Sequence, residues 1–202
     1  MISAPKKYGR PVSFDRERTI QTALDLYWRQ GVLATSLNQV ARTSDVSKPT
    51  LYRYFENEDG LLHDVLESYL ATSADKFDCL REQVHIRDGL TEWFSNIITA
   101  WTAKDASPHG CMFCDCLHEI DRLGTKSQSL MKTHLQQQTQ QLAIILSHAR
   151  DKGQLKDGID IDRATSIITR IIVQKRHIDL CPRNHTNCPY KYNTTRTTVK
   201  LS

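Results

Sequence analysis

The stretch Thr35–Glu58, TSLNQVARTSDVSKPTLYRYFENE, constrains the fold more than any other part of the chain. Ser36 is placed to cap a helix, and Gln39 three residues on completes a capping box. Leu37, Val40 and Ala41 then share one face at helical spacing. Thr43, Ser44 and Asp45 break the pattern, because such side chains bond to nearby backbone and Asp45 tolerates a left-handed conformation. Ser47 is placed to cap a second helix, with Leu51 and Phe55 inward and basic, hydroxyl and aromatic groups outward. Two short helices joined by a tight turn predict a helix-turn-helix, the geometry that lays its second helix in the DNA major groove.

Helical spacing recurs along the chain, whereas strand alternation does not, so the expected fold class is all-α. From about Phe14 to Arg29, Ile20, Ala23, Leu24 and Tyr27 form one apolar stripe, and Gly31 stops the helix. Asn57 is placed to cap a linking helix that the pattern extends to about Leu80, through Leu61, Leu62, Val65, Leu66 and Tyr69. Residues 88–103 are strongly apolar, 126–152 make the longest helix, and about Asp160 to Gln174 make a last amphipathic one.

Charge is unevenly divided. Residues 1–60 carry a net +2, residues 61–174 a net −3 and residues 175–202 a net +5. A basic arm at 1–13, with Lys6, Lys7 and Arg10, suits phosphate or minor-groove contact, since neutralising phosphates releases condensed counterions. No apolar run reaches the ~18 residues of a membrane helix, and the first residues lack the apolar core of a secretory signal. The expected location is therefore cytoplasmic, where six cysteines are thiols more readily than disulfides.

The segment GRPVSFDRERTIQTALDLYWRQG, followed by ATSLNQVARTSDVSKPTLYRYFENEDGLL, resembles the N-terminal domain of the TetR/AcrR family of bacterial transcriptional regulators over roughly residues 9–66. The resemblance implies a three-helix DNA-binding head (14–56) and a helical ligand-binding and dimerisation body (57–176), from which the basic tail (177–202) departs as atypical. It implies a homodimeric repressor, not an enzyme, that binds a double-stranded palindromic operator and answers a small-molecule inducer of unknown identity, with no other cofactor and no metal. Carried over by position, Thr35 and Ser36 meet phosphates, Lys48, Pro49, Thr50 and Arg53 face the groove, and Tyr52 and Tyr54 offer hydroxyls to phosphates. Arg53 is the expected base reader, because its planar fork can bond guanine through two parallel bonds. Glu58 departs from the family, which usually carries lysine there, so a backbone contact is expected to be lacking.

In the body, Trp93 and Trp101 are candidates for lining a ligand pocket, with core packing as the alternative. Cys111, Cys114 and Cys116, flanked by His109 and His118, fit buried packing thiols, a redox sensor, or a soft-metal site for zinc or copper(I). Ile167, Ile168, Ile171 and Ile172 are the candidate dimer residues that the resemblance implies. The tail, with Cys181, His185 and Cys188, shows no helical stripe and puts the usual dimer in question. Two other readings stand beside the repressor: a thiol-based enzyme, and a related module impaired in dimerisation. Against the enzyme, the chain has no Gly-rich phosphate loop or nucleophile elbow.

Overall fold

The computed structural model describes residues 14–72, 77–102 and 111–173. Among these residues the chain is helical, with no strand. The arm at 1–13, the tail at 177–202 with its cysteines, and His109 lie outside the described residues. So does the side chain of Trp101.

The first helix, α1 (Arg16–Gln30), starts where the Asp15 carboxylate accepts the Arg18 N–H at 3.0 Å. It buries Ile20, Ala23, Leu24 and Tyr27, the stripe that its spacing predicts. Helices α2 (Leu37–Thr43) and α3 (Lys48–Phe55) complete the head through Leu37, Val40, Ala41, Leu51 and Phe55. In the turn between them, Asp45 is left-handed with φ 56°. Leu61, Leu62, Val65 and Leu66 of α4 (Glu58–Thr72) enter the same core, so packing is continuous from the head into the body.

The linking helix is shorter than its periodicity predicts. Its described span runs to Thr72, the chain is non-helical at Phe77, and Leu80 belongs instead to α5 (Asp78–Glu82), packed on α6 (Ile86–Thr102). Phe77 stands non-helical before α5, with its ring against Trp93, and directs Leu80 into a second core with Ile86 and Trp93. The chain continues through α7 (Met112–His118), a 3₁₀ turn (Ile120–Arg122), α8 (Thr125–Asp151) and α9 (Ile161–Val173). The 27-residue α8 spans both cores, giving Met131 to the first and Leu142, Ile145, Leu146 and Ala149 to the second. No described helix is long and apolar enough to cross a membrane.

The head meets the body at a close joint. Asn57 caps α4 by accepting the Gly60 N–H at 2.9 Å. A Cβ on Gly60 would overlap the Phe55 carbonyl oxygen, and one on Gly124 would overlap the Asp59 carboxyl group, so both positions need glycine for space. The Asp59 carboxylate accepts the N–H groups of Lys126 and Ser127, and the Lys126 ammonium pairs with Glu56 at 2.7 Å.

The isoleucines of α9 divide between two faces. Ile167 and Ile171, four apart, are 50% and 45% exposed. Ile168 and Ile172 are half-buried and pack on the protein's own core. Four positions in six residues of a helix span more than one face, since only positions three or four apart stack together.

Candidate nucleic-acid interface

Helix α3 begins at Ser47, whose hydroxyl oxygen accepts the Thr50 N–H at 3.3 Å, with Pro49 just inside the first turn. Leu51 and Phe55 are 0% and 2% exposed and fix the helix to the head. Lys48, Pro49, Tyr52, Arg53 and Tyr54 are exposed, and Thr50 is half-buried with its hydroxyl 2.8 Å from that of Ser47. The Lys48 ammonium lies 5.7 Å from the centre of the Tyr52 ring, and the Arg53 guanidinium 4.9 Å from that of Tyr54. Tyr54 in turn stacks on Phe14, with centroids 3.9 Å apart. The aromatic rings restrain the two cations on one side while leaving them in water, where they can meet a polyanion.

Ahead of α3, Ser36 caps α2 by accepting the Gln39 N–H at 3.3 Å and stays exposed. The expected capping box is half formed. Gln39 turns away and donates its side-chain amide to Gln30 at 2.6 Å. Thr35 is buried, and its hydroxyl donates to the carbonyl oxygens of Gly31 at 2.9 Å and Leu26 at 3.4 Å, so it holds the α1–α2 loop.

The sequence reading missed Asn38 and Arg42. Both are exposed, four residues apart on α2, and line an open groove of about 810 Å³ with Ala41, Asp45, Val46, Ser47 and Lys48. The i, i+4 spacing of two polar groups opposite Leu37, Val40 and Ala41 was the signal available. Glu58 is exposed at the start of α4. Its charge, together with burial as the larger cause, pushes the Tyr27 hydroxyl up from its ordinary value.

Among the described residues, Trp93 and the three cysteines lie apart, Trp93 in the second core and the cysteines at the first. Trp93 is buried, with its ring 5.3 Å from those of Phe77 and Phe94, and packs as core. A groove of about 480 Å³ between α4 and α8 is lined by His63, Thr125, Lys126, Ser129, Leu130 and Thr133, without Trp93 or a cysteine. Cys111 is half-buried at the head of α7, while Cys114 and Cys116 are buried within it. Burial, then the charges of Asp115, Cys111 and Glu119, push the Cys116 thiol up to about 12.

The three sulfurs do not converge as a metal set. Cys114 and Cys116, two apart on a helix, point to different sides. Among the described residues, the group that does converge is His63, Asp64 and Glu67, and there Asp64 is already held by Arg16 at 2.7 Å.

Residues 20–65 match the family model described as bacterial regulatory proteins, tetR family. Residues 90–177 match a second, tetracyclin repressor-like C-terminal domain. The chain is 29% identical over 170 residues to the HTH-type transcriptional repressor ComR of Escherichia coli (strain K12), covering 83% of this chain and 80% of ComR. Its fold is similar to that of a cysteine mutant of the regulator CifR in complex with 26-base-pair operator DNA. That likeness has a TM-score of 0.63 at 22% identity, over 82% of this chain and 86% of CifR. The reduced form of E. coli NemR is similar with a TM-score of 0.68 at 17% identity, over 79% and 83% of the two chains. The two family models match both the DNA-facing head and the helical body just described, and the chain belongs to the TetR family of bacterial regulatory proteins.

Proposed function

We propose that this regulator is a homodimeric repressor that binds a palindromic operator through α3 and releases it when a small molecule enters the helical body. The observation that carries the reading is the two-sidedness of α3. Leu51 and Phe55 are sealed in the core, while Lys48, Tyr52, Arg53 and Tyr54 all face solvent. In the major groove Arg53 bonds the O6 and N7 of a guanine, and Pro49 and Thr50 pack on a thymine methyl. Lys48, Ser36, Tyr52 and Tyr54 hold the phosphates, with Arg42 of α2 as an added contact. Glu58 makes no such contact, being a carboxylate.

Two copies place their α3 helices about 34–36 Å apart, over half-sites one helical turn from each other. Ile167 and Ile171, apolar and half exposed on α9, are the surface proposed for the partner copy. A ligand that fits one arrangement of the body better than another shifts the spacing of the two heads, and a coupling of ~1–3 kcal/mol gives substantial release. The protein works in the cytoplasm, where its DNA lies.

Relatives support this reading. ComR is named a repressor, and a cysteine mutant of CifR is complexed with operator DNA. A thiol enzyme has no comparable support, since the matched families and relatives are transcriptional regulators. Selection of bound sequences from random duplex DNA tests the proposal, with enrichment of a near-palindrome as the expected result.

A further inference from the structure

Cys111 and Cys114 stand one helical turn apart at the head of α7. Cys111 is the residue before the helix, with extended backbone (φ −119°, ψ 110°), and its carbonyl accepts the Asp115 N–H at 3.0 Å to close the first turn. Residues three apart on a turn have Cβ atoms about 5–6 Å apart, whereas a disulfide spans about 3.5–4.5 Å. Because Cys111 lies outside the helix proper, rotation of its own backbone can close that gap while α7 stays wound.

The pair also joins two other helices. Tyr69 of α4 donates its hydroxyl to Cys111 Sγ at 3.5 Å. The Cys114 thiol donates to the Ile172 carbonyl of α9 at 3.8 Å. Burial first, and then the Cys111 and Cys114 sulfurs, hold the Tyr69 proton more tightly than usual. Cys111 is half-buried and Cys114 is buried. Cys116 is five residues from Cys111, off the positions that stack on a helix, and Cys79 stands apart on α5.

We propose that Cys111 and Cys114 are a peroxide-responsive dithiol whose oxidation to a disulfide resets operator binding, an inference that rests on the body acting as a sensor for the DNA head. The Cys111 thiolate attacks one oxygen of hydrogen peroxide, breaking the O–O bond, to give a sulfenic acid and hydroxide, which takes up the proton lost by Cys111 and leaves as water. The Cys114 sulfur then attacks that sulfenic sulfur, the S–S bond forms, and the departing hydroxyl leaves as a second water with the Cys114 proton. Two thiols are oxidised by two electrons in all, and one peroxide is reduced. A dithiol reductant reverses the change by exchange. In the disulfide, Cys114 has no proton to give Ile172 and Cys111 is drawn off Tyr69, so one contact of α7 with α4 and one with α9 change together.

The test treats the full chain with hydrogen peroxide and follows two readouts: peptide mapping of the disulfide, and affinity for a selected operator. Expected is the loss of two hydrogens mapped to a Cys111–Cys114 bond, restored by dithiothreitol. Operator affinity should change by roughly tenfold or more with it, inside the range of allosteric coupling. Cys111→Ser and Cys114→Ser should each abolish both effects, while Cys79→Ser leaves both intact. Circular dichroism of each variant separates a lost bond from a lost fold. A disulfide that maps elsewhere, such as to Cys181 and Cys188, overturns the assignment. An unchanged affinity with the bond formed, or a peroxide response surviving in Cys111→Ser, overturns the regulatory role. If the reduced protein selects no DNA at all, the operator reading fails by itself, and the mapping still decides the dithiol.

Discussion

The carboxylate of Asp59, in the first turn of α4, accepts the backbone N–H of Lys126 at 2.9 Å, in the first turn of α8. It also accepts the Ser127 N–H at 3.1 Å, so a side chain beside the DNA-facing head caps the longest helix of the body. Helix α8 has no cap of its own, because Gly124 offers no side chain and leaves the space that Asp59 fills. A shift at the start of α8 is therefore felt at the α3–α4 joint, where Gly60 lies against the Phe55 carbonyl.

Replacing Asp59 with Ala or Asn should lower stability by about 1 kcal/mol, the usual scale of a lost helix cap. The effect has a defined pH dependence. Burial raises the Asp59 carboxyl, but the bonds from Ser127 and Lys126 outweigh it and hold the carboxyl below its ordinary value. A depressed carboxyl contributes fully above its unfolded value of about 3.9 and loses that contribution as pH falls through the lower folded value. Urea unfolding of wild type and Asp59→Asn should show a gap that is constant from neutral pH to about 4 and closes below it. A gap independent of pH would contradict the cap.

Gly60→Ala tests the joint by crowding alone. Its Cβ would overlap the Phe55 carbonyl, so α3 and α4 must separate, at about 1–3 kcal/mol by analogy with other overpacked sites. Operator affinity should fall more than stability alone explains at temperatures where the variant is folded. Wild-type affinity in the folded variant would show that the joint does not set the pose of α3.

Thr35→Val separates an internal hydroxyl from a phosphate contact. Its bonds to Gly31 and Leu26 predict a loss of about 0.5–1.5 kcal/mol in unfolding stability, with an unchanged salt slope of DNA binding. Ser36→Ala should weaken DNA binding as well as the α2 cap. A shallower salt slope in Thr35→Val would return that residue to the interface.

Much of this was legible from residues alone. Helix starts were marked by Ser36, Ser47 and Asn57, whose side chains accept from backbone N–H groups, and Leu51 and Phe55 lay at the spacing that buries one side of α3. The bonds of Thr35 were not legible, because spacing says where a residue falls along the chain, not which carbonyl its hydroxyl will find. Leu80 was misplaced because an apolar position fits any helix of suitable phase, and only Phe77 against Trp93 directs it to the second core. Neither the Asp59–Lys126 bond nor the Tyr69–Cys111 bond has a local signature, since each joins residues more than forty positions apart.

Ile167→Glu and Ile171→Glu should leave the fold intact and convert the protein to a monomer by analytical sedimentation, because both residues are half exposed on α9. Ile168→Glu should instead destabilise it, since that side chain packs on the second core. A stable dimer in both outward variants would move the interface to another surface.

The most direct measurement is selection from random duplex DNA carried out side by side for the wild type and Arg53→Ala. For wild type, the account predicts enrichment of a near-palindrome with half-sites about 10–10.5 base pairs apart, each with a guanine at one fixed position. In Arg53→Ala, preference at that guanine should relax by about 1–3 kcal/mol while the other positions persist. Enrichment of the same site by both proteins, with the guanine equally preferred, would contradict the claim that the exposed face of α3 reads the operator.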